Sequence, residues 1–296
     1  MDVPEKGMAP KIGGLFAWFA RNARWYGAEW YITLVGALII ATILLLTLLA
    51  PQIAPHDPEK FVGKPFIAPG AEFLMGTDNL GRDVFSRVIY GARVVMIIAL
   101  VSSSFSALVG VPSGLLSGFI GGRVDRVLSL IMDSIYSFPG LILAIAMAAM
   151  LGPGIVNMSI AIAVVYIPTY FRMVRGQVLS VKEELYVEAA RSLGARAATI
   201  LRLYVFPNVI PSIVVVFSLN IADAILTEAG LSFLGLGIDP SMPDWGYDLS
   251  KGKAFLPGGR WWIITFPGMM IALVTLGFSM LGEGLNEILN PRLTET

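Results

Sequence analysis

The chain has 296 residues, of which 56% are hydrophobic and 14% charged, and its 21 Lys and Arg residues balance its 21 Asp and Glu residues. Soluble domains carry about 25% charged residues, so this composition argues against a soluble enzyme or a disordered chain and indicates a protein surrounded mainly by lipid. The zero net charge means that no basic excess suggests binding to nucleic acid. The absence of Cys and the single His, His56, exclude disulfides and thiolate or His-based metal sites.

Six apolar stretches predict an all-α integral membrane protein with six transmembrane helices. About 20 helical residues cross the hydrocarbon core of a bilayer, which is roughly 30 Å thick. The predicted spans are residues 31–50, 94–120, 128–151, 155–171, 209–236 and 261–281. Prolines within three of them predict kinks, at Pro112, Pro139 and Pro168. The chain is thereby divided into an N-terminal segment (1–30), a first transmembrane helix (31–50), an outer loop (51–93) and a five-helix core (94–296).

Most Lys and Arg residues fall in the N-terminal segment and in the segments that follow the second and fourth spans. This bias places both termini in the cytoplasm of a multi-pass cell-membrane protein. Two long segments, 51–93 and 236–260, are then extracytoplasmic. Asp83 and Arg87 stand four residues apart, which is typical of a short surface helix. The second segment contains Asp239, Asp244, Trp245 and Asp248, and we expect both segments to be solvated loops on the rim of the bundle.

Glycines recur at every fourth position toward the end of the second span, at Gly110, Gly114, Gly118 and Gly122. Small residues at this spacing allow helix backbones to approach closely in lipid. The stripe therefore predicts a tightly packed helix, whose partner is either another helix of this chain or another chain.

The fifth span carries two acidic residues, Asp223 and Glu228. Two acids in the middle of a span cost about 5–7 kcal/mol of insertion free energy, which cancels the gain from the apolar residues, so neither acid should face lipid. Asn220, Asp223 and Thr227 share one helical face. This face is either a polar wall of a solute path, or a set of hydrogen bonds between helices or an acid near the membrane edge.

The segment between the fourth and fifth spans, residues 172–206, predicts two helices outside the membrane. Gly194 separates them and permits a turn with positive φ. Glutamates precede the turn, arginines surround and follow it, and Pro207 is expected to stop the second helix. Such a hairpin either docks on a partner or lies as an amphipathic hairpin at the membrane interface.

The residues Glu188-Ala189-Ala190, then Gly194, then an apolar run to Pro207 resemble the EAA loop of ABC-importer permeases. Three further segments resemble the dipeptide, oligopeptide and nickel branch of that family: GTDNLGRD (76–83), MDSIYSFPGLILAIA (132–146) and ILTEAGLSFLGLG (225–237). The resemblance covers nearly everything after residue 30. It implies a type I ABC-importer permease fold.

The resemblance also implies a division of labour. The loop with Glu188, Ala189, Ala190, Gly194 and Pro207 would be a coupling helix seated on a cytosolic ATPase subunit. Implied partners are a second homologous permease, two cytosolic ATPases that bind ATP and Mg²⁺, and an extracytoplasmic substrate-binding protein. The chain would form half of a path for peptides or a related small solute, and relatives of this branch handle dipeptides, oligopeptides, nickel or oligosaccharides.

The sequence agrees that the chain itself is not an enzyme and binds no cofactor. No GxxxxGK[ST] motif is present to cradle ATP phosphates, and no catalytic or metal-ligand constellation is recognisable. One alternative is a secondary transporter or channel without ATPase subunits, which would often show inverted repeats. Another is an intramembrane enzyme, whose acids would have to come from Asp133, Asp223 and Glu228.

Overall fold

Long apolar runs form long helices throughout the part of the chain that the structure, a computed structural model, describes, which is residues 27–289. Most of the predicted N-terminal segment and the last seven residues lie outside this range. The helices are α1 (Ala28–Leu48), α2 (Ala50–Ile53), α3 (Val84–Ile120), α4 (Gly122–Tyr136), α5 (Gly140–Leu151), α6 (Ile155–Val181), α7 (Leu185–Ser192), α8 (Ala197–Ile200), α9 (Phe206–Phe233), α10 (Trp245–Gly252) and α11 (Trp262–Leu289). A π turn (Leu201–Val205) joins α8 to α9, and a 3₁₀ turn (Lys253–Gly258) follows α10.

Within residues 27–289, five helical stretches are long and apolar enough to cross a membrane: α1, α3, α6, the continuous stretch α8–α9, and α11. The helix pair α4–α5 supplies a sixth crossing if it counts as one broken span. The kink predicted at Pro139 is confirmed, but it is a full break: the helix ends at Tyr136, restarts at Gly140, and the chain bends by 85° between α4 and α5. Pro139 lies at the bend. Proline lacks an N–H and disfavours helical backbone at the residue before it, which accounts for the break in the helix.

Several helices extend beyond the predicted spans. α3 begins ten residues before the second predicted span, and α6 continues ten residues past the fourth. Hydropathy identifies only the apolar part of each helix. Both helices continue beyond that part into charged and polar residues. We expected Pro207 to stop the second hairpin helix, but the structure shows that it does not. It lies in the first turn of α9, and the π turn before it accommodates the missing N–H, so the chain remains helical.

The helices alternate in direction between two ends of the bundle. One end carries residues 54–83 and 234–261, which we call the loop end. The other carries residues 182–205, together with the start of α4 and the last two turns of α6, which Asp125 and Arg175 join, and we call it the hairpin end. Helices α3, α5, α6, α9 and α11 enclose the main hydrophobic core, with α1 packed along α11.

The glycine stripe brings α3 against α6. A Cβ atom at Gly110 would lie 2.6 Å from the Cβ of Tyr170, one at Gly114 would lie 2.7 Å from the carbonyl oxygen of Phe171, and one at Gly118 would lie 2.9 Å from the Cβ of Val178. The predicted close packing is thus confirmed at these three positions, and the partner helix belongs to the same chain. Gly122 does not belong to the stripe: α3 ends at Ile120, and a Cβ at Gly122 would meet nothing within 4 Å.

Candidate functional site

The hairpin end presents α7 on the surface of the bundle. Val187 and Ala190 are the buried residues of this helix, and Val187 packs with Val181, Ile200 and Val205. Glu188 and Ala189 lie on the opposite side and are exposed. Of the predicted EAA residues, the structure therefore uses Ala190 to anchor the helix and leaves Glu188 and Ala189 facing outward.

Gly194 ends α7 in the way that the sequence predicted. Its φ is 81°, its N–H donates to the carbonyl of Arg191, and the N–H of Ala195 donates to the carbonyl of Ala190. These two bonds form a Schellman motif, which favours glycine at its left-handed position. A Cβ at Gly194 would meet nothing within 4 Å, so backbone conformation alone selects glycine here.

Large apolar side chains surround this exposed face. The exposed fractions of Leu185 and Leu193, at the two ends of α7, are 80% and 88%. The Glu188 carboxylate forms no ion pair with any residue from 27 to 289. Apolar residues around an unpaired charge, on a helix held at a fixed angle by its cap, are typical of a surface that binds another protein.

The polar face of α9 lies against α6, but its three predicted residues have different surroundings. Asn220 is buried and its Oδ1 accepts a hydrogen bond from the hydroxyl of Tyr170 at 3.4 Å. The hydroxyl of Thr227 donates to the carbonyl of Asp223 and lies 2.8 Å from the hydroxyl of Tyr166. Asn220 and Thr227 therefore join helices, and Asp223 is the member whose side chain is exposed.

Asp223 opens onto a cavity of about 680 Å³ at the bend between α4 and α5. The wall is formed by the bend itself, by α6 and by Asp223 of α9, with the lining residues Ile135, Tyr136, Ser137, Phe138, Pro139, Gly140, Leu141, Leu143, Val165, Tyr166, Thr169 and Asp223. That Asp223 avoids lipid stays a prediction, since its side chain is exposed on the open side of this cavity. The cavity itself was not predicted, because it depends on the 85° bend.

The loop end is built on buried charges rather than on solvated loops. Asp83 caps α3 by accepting from the N–H of Ser86, and Asp78 pairs with Arg82 at 2.6 Å, with both side chains about 6% exposed. A Cβ at Gly81 would lie 2.1 Å from the carbonyl oxygen of Gly63, so glycine is required there. The GTDNLGRD segment is thus a compact turn that starts α3.

Arg87 joins both loop segments. Its guanidinium pairs with Asp248 at 2.8 Å and donates to the carbonyls of Pro58, Ser241 and Met242. Burial raises the pKa of the Asp248 carboxyl, and the Arg87 guanidinium opposes that rise. The expected short surface helix at Asp83 and Arg87 is wrong, because both side chains are buried and Asp83 caps α3, a helix of 37 residues that contains Arg87.

The second loop segment is also more buried than expected. Asp244 caps α10 and accepts from the hydroxyl of Ser232, and the indole of Trp245 donates to the carbonyl of Val88 at 2.8 Å. Both side chains are fully buried, as is Glu228, which lies beside Asp244. Of the four residues singled out in this segment, only Asp239 is exposed.

No group of three or more His, Cys, Asp or Glu side chains that could hold a metal occurs between residues 27 and 289. The three acids considered for an intramembrane enzyme lie in three different surroundings. Asp133 pairs with Arg172 at 2.7 Å, Asp223 lines the cavity, and Glu228 is enclosed at the loop end.

Comparison with known proteins gives a family. Residues 110–295 match the model of the binding-protein-dependent transport system inner membrane component. The chain is 38% identical over 262 residues to a probable D,D-dipeptide transport system permease protein of Escherichia coli K12, with 88% of each chain covered. It is 38% identical to a di/tripeptide transport system permease protein of Pseudomonas aeruginosa, with 87% of each covered. It is 36% identical to a glutathione transport system permease protein of Pectobacterium atrosepticum, with 89% of this chain and 88% of that one covered.

The fold is also similar to a solved structure. A chain of the MetNI methionine ABC transporter, in an inward-facing conformation, superposes with a TM-score of 0.53 at 17% sequence identity. The alignment covers 68% of this chain and 97% of that one. The chain therefore belongs to the family of binding-protein-dependent transport system inner membrane components and is a multi-pass permease subunit of such a system.

Proposed function

We propose that the chain is the permease of an ATP-driven importer that takes up short peptides or a closely related small solute. The solutes for which three relatives are named, D,D-dipeptides, di- and tripeptides and glutathione, support this solute class. All three are peptides of two or three residues or conjugates of that size. The family's dependence on a binding protein favours this proposal over a secondary transporter or channel.

The hairpin end receives the ATPase in this proposal. The observation that carries it is the exposed face of α7, where Leu185, Glu188 and Leu193 point away from the bundle at an angle fixed by Gly194. ATP and Mg²⁺ would be bound by two cytosolic ATPase subunits, since this chain has no phosphate-binding loop. Both termini would then be cytoplasmic, and the loop end would face the extracytoplasmic binding protein.

The solute path would run beside the polar face of α9. Asp223 and the cavity at the α4–α5 bend would form part of its wall, while Asn220 and Thr227 would hold α9 against α6. A second, homologous permease would close the open side of the cavity. The chain would thus contribute half of the path.

Two substitutions in the hairpin test the coupling role. Glu188→Lys reverses the exposed charge, and Gly194→Val puts a branched side chain at positive φ, which costs about 1–2 kcal/mol of backbone strain. We expect both variants to insert normally and to lose uptake, with the ATPase subunits lost on purification or no longer stimulated by the loaded binding protein. The measurement is uptake in liposomes beside ATPase activity and copurification.

Glu183→Lys is the matched control, because Glu183 is also an exposed acid of this segment but lies before α7. It should retain uptake and ATPase subunits. Normal uptake in both hairpin variants would contradict the coupling role, and uptake by the permease without ATPase subunits would favour a secondary transporter or channel.

Sidedness has its own test. The chain has no Cys, so an introduced thiol is the sole thiol. Thiols at the exposed positions Ser192 and Glu72 should be labelled by an impermeant reagent only from the cytoplasm and only from outside, respectively. The reverse pattern would invert the proposed orientation.

A further inference from the structure

The cavity at the α4–α5 bend has a negative charge but no positive one to balance it. Asp223 forms no ion pair with any residue from 27 to 289. The nearest turn of α6 does carry a cation, Arg172, but its guanidinium pairs with Asp133 at 2.7 Å and lies 3.9 Å from the centre of the Tyr136 ring. Arg172 is thus next to the cavity but is not one of its lining residues, and its charge is already paired with Asp133.

An unpaired carboxylate on a membrane-spanning helix, such as that of Asp223 on α9, is costly to keep in the membrane. Such residues usually face a water-filled cavity and mark a path for ions or solutes. A structural role does not account for Asp223, because the backbone carbonyl of this residue, and not its carboxylate, bonds Thr227. The neighbouring helix contact is completed by Tyr166 and Thr227 without the Asp223 side chain.

The rest of the wall suits a small organic cation. Phe138 and Tyr166 line the cavity together with Asp223. Neither ring already carries a cation from residues 27–289, whereas the Tyr136 ring is stacked on Arg172. The faces of aromatic rings attract cations, and a carboxylate accepts charge-assisted hydrogen bonds from an ammonium group. The cavity is also large enough, at about 680 Å³, to admit a short peptide.

We propose that Asp223 is a contact for positively charged groups of the passing solute, so that this cavity favours solutes carrying an ammonium or guanidinium group over anionic ones. The inference rests on the proposed import of short peptides. It adds that selection by charge occurs within the membrane, at a named side chain.

The test compares three dipeptides whose second side chain is cationic, neutral or anionic: Ala-Lys, Ala-Ala and Ala-Glu. The complete transporter is reconstituted in liposomes with saturating loaded binding protein, so that capture of the peptide outside the membrane does not limit the rate. The quantity measured is peptide imported per ATP hydrolysed, expressed as the ratio of Ala-Lys to Ala-Glu. Asp223→Asn removes the charge at constant size, and Asp223→Glu retains it.

We expect Asp223→Asn to lower this ratio about tenfold, the scale of losing one hydrogen bond to a charged group. Asp223→Glu should keep most of the ratio. Glu283→Gln is the matched control: Glu283 is an exposed acid of α11 outside the cavity, and the ratio should not change.

Three other outcomes separate the alternatives. An unchanged ratio in Asp223→Asn, with uptake intact, would overturn the inference and leave the proposed function standing. Loss of the second permease from purified Asp223→Asn complexes would overturn it by assigning Asp223 to a contact between subunits. If the unmodified transporter hydrolyses ATP but imports none of the three dipeptides, the proposed solute class fails and the inference fails with it.

Discussion

The Arg–Asp pairs at the loop end and at the hairpin end differ in their exposure to water. At the loop end, the side chains of Arg87 and Asp248 are 1% and 11% exposed. At the hairpin end, those of Arg175 and Asp125 are 34% and 22% exposed, although the contact between them is just as short. Breaking a buried pair leaves an uncompensated charge, whereas a pair in contact with water is readily replaced by hydration.

The two ends also differ in which side chains they leave exposed. At the loop end, Trp245 and the helix-capping carboxylates of Asp83 and Asp244 are buried within the bundle. These buried contacts fix the surface of the loop end. The hairpin end leaves Leu185, Glu188 and Leu193 outside the bundle. Contacts within the described residues organise the loop end, whereas the exposed side chains of the hairpin end support its proposed role as a docking surface.

The largest effect should follow from Arg87→Met. The substitution leaves Asp248 buried without its partner and removes the donors to the carbonyls of Pro58, Ser241 and Met242. We expect a loss of about 3–5 kcal/mol in the free energy of unfolding. Thermal and denaturant unfolding of the purified protein in a non-ionic detergent measures it.

The double variant Arg87→Met with Asp248→Leu is the control for charge. Since it removes both charges, it should recover a large part of the stability that the single variant loses. Lys251→Met, at an exposed position of the same end, should change stability by less than about 0.5 kcal/mol. A single Arg87→Met variant as stable as the parent would show that the loop end is not organised by this side chain.

An intermediate loss of stability should follow from alanine substitution at two glycines of similar backbone conformation, and its size should differ between them. Gly81 at the loop end has φ 75°, and Gly194 at the hairpin end has φ 81°. Alanine at either position costs about 1–2 kcal/mol of backbone strain. At Gly81 the new Cβ also overlaps the carbonyl oxygen of Gly63, which adds about 1–3 kcal/mol.

The measurement is the difference in unfolding free energy between Gly81→Ala and Gly194→Ala. We expect the first variant to be clearly the less stable of the two. Equal losses would mean that the turn at Gly81 can move away from Gly63, and that the loop end is less rigid than its packing indicates.

The sequence predicted features whose physical cause is local along the chain. The number of membrane crossings follows from apolar length, because lipid requires every helix to satisfy its own backbone. The positive φ of Gly194 follows from the end of α7 immediately before it. The contact of Gly110, Gly114 and Gly118 followed from their four-residue spacing, although the partner helix did not.

Features set by distant partners were missed or misassigned. Arg87 was expected on a short surface helix, yet it is buried and its partner Asp248 is 161 residues away. Asp244 and Trp245 were expected in a solvated loop, and their burial depends on the contact of α10 with α3 and α9. Proline at 139 predicted a kink, but neither the 85° bend nor the cavity beside Asp223 follows from the residue alone.

The smallest effect should come from Asp125→Asn at the hairpin end. Asp125 accepts from the Nε and Nη2 atoms of Arg175, at 2.5 and 2.8 Å, and from the hydroxyl of Ser117. Asparagine keeps one oxygen acceptor, and water reaches both side chains of the pair, so we expect a loss of about 0.5–1 kcal/mol. Asp248→Asn, the equivalent change at the loop end, should cost more because Arg87 has no access to water.

Salt gives this pair of variants a second measurement. Raising the ionic strength from about 0.1 M to 1 M shortens the Debye length from about 10 Å to 3 Å and weakens interactions between charges near water. The loss in Asp125→Asn should therefore shrink at high salt, while the loss in Asp248→Asn should stay nearly constant. The same salt dependence in both variants would contradict the distinction between the two ends, because it would mean that water and ions reach the Arg87–Asp248 pair as freely as they reach Arg175 and Asp125.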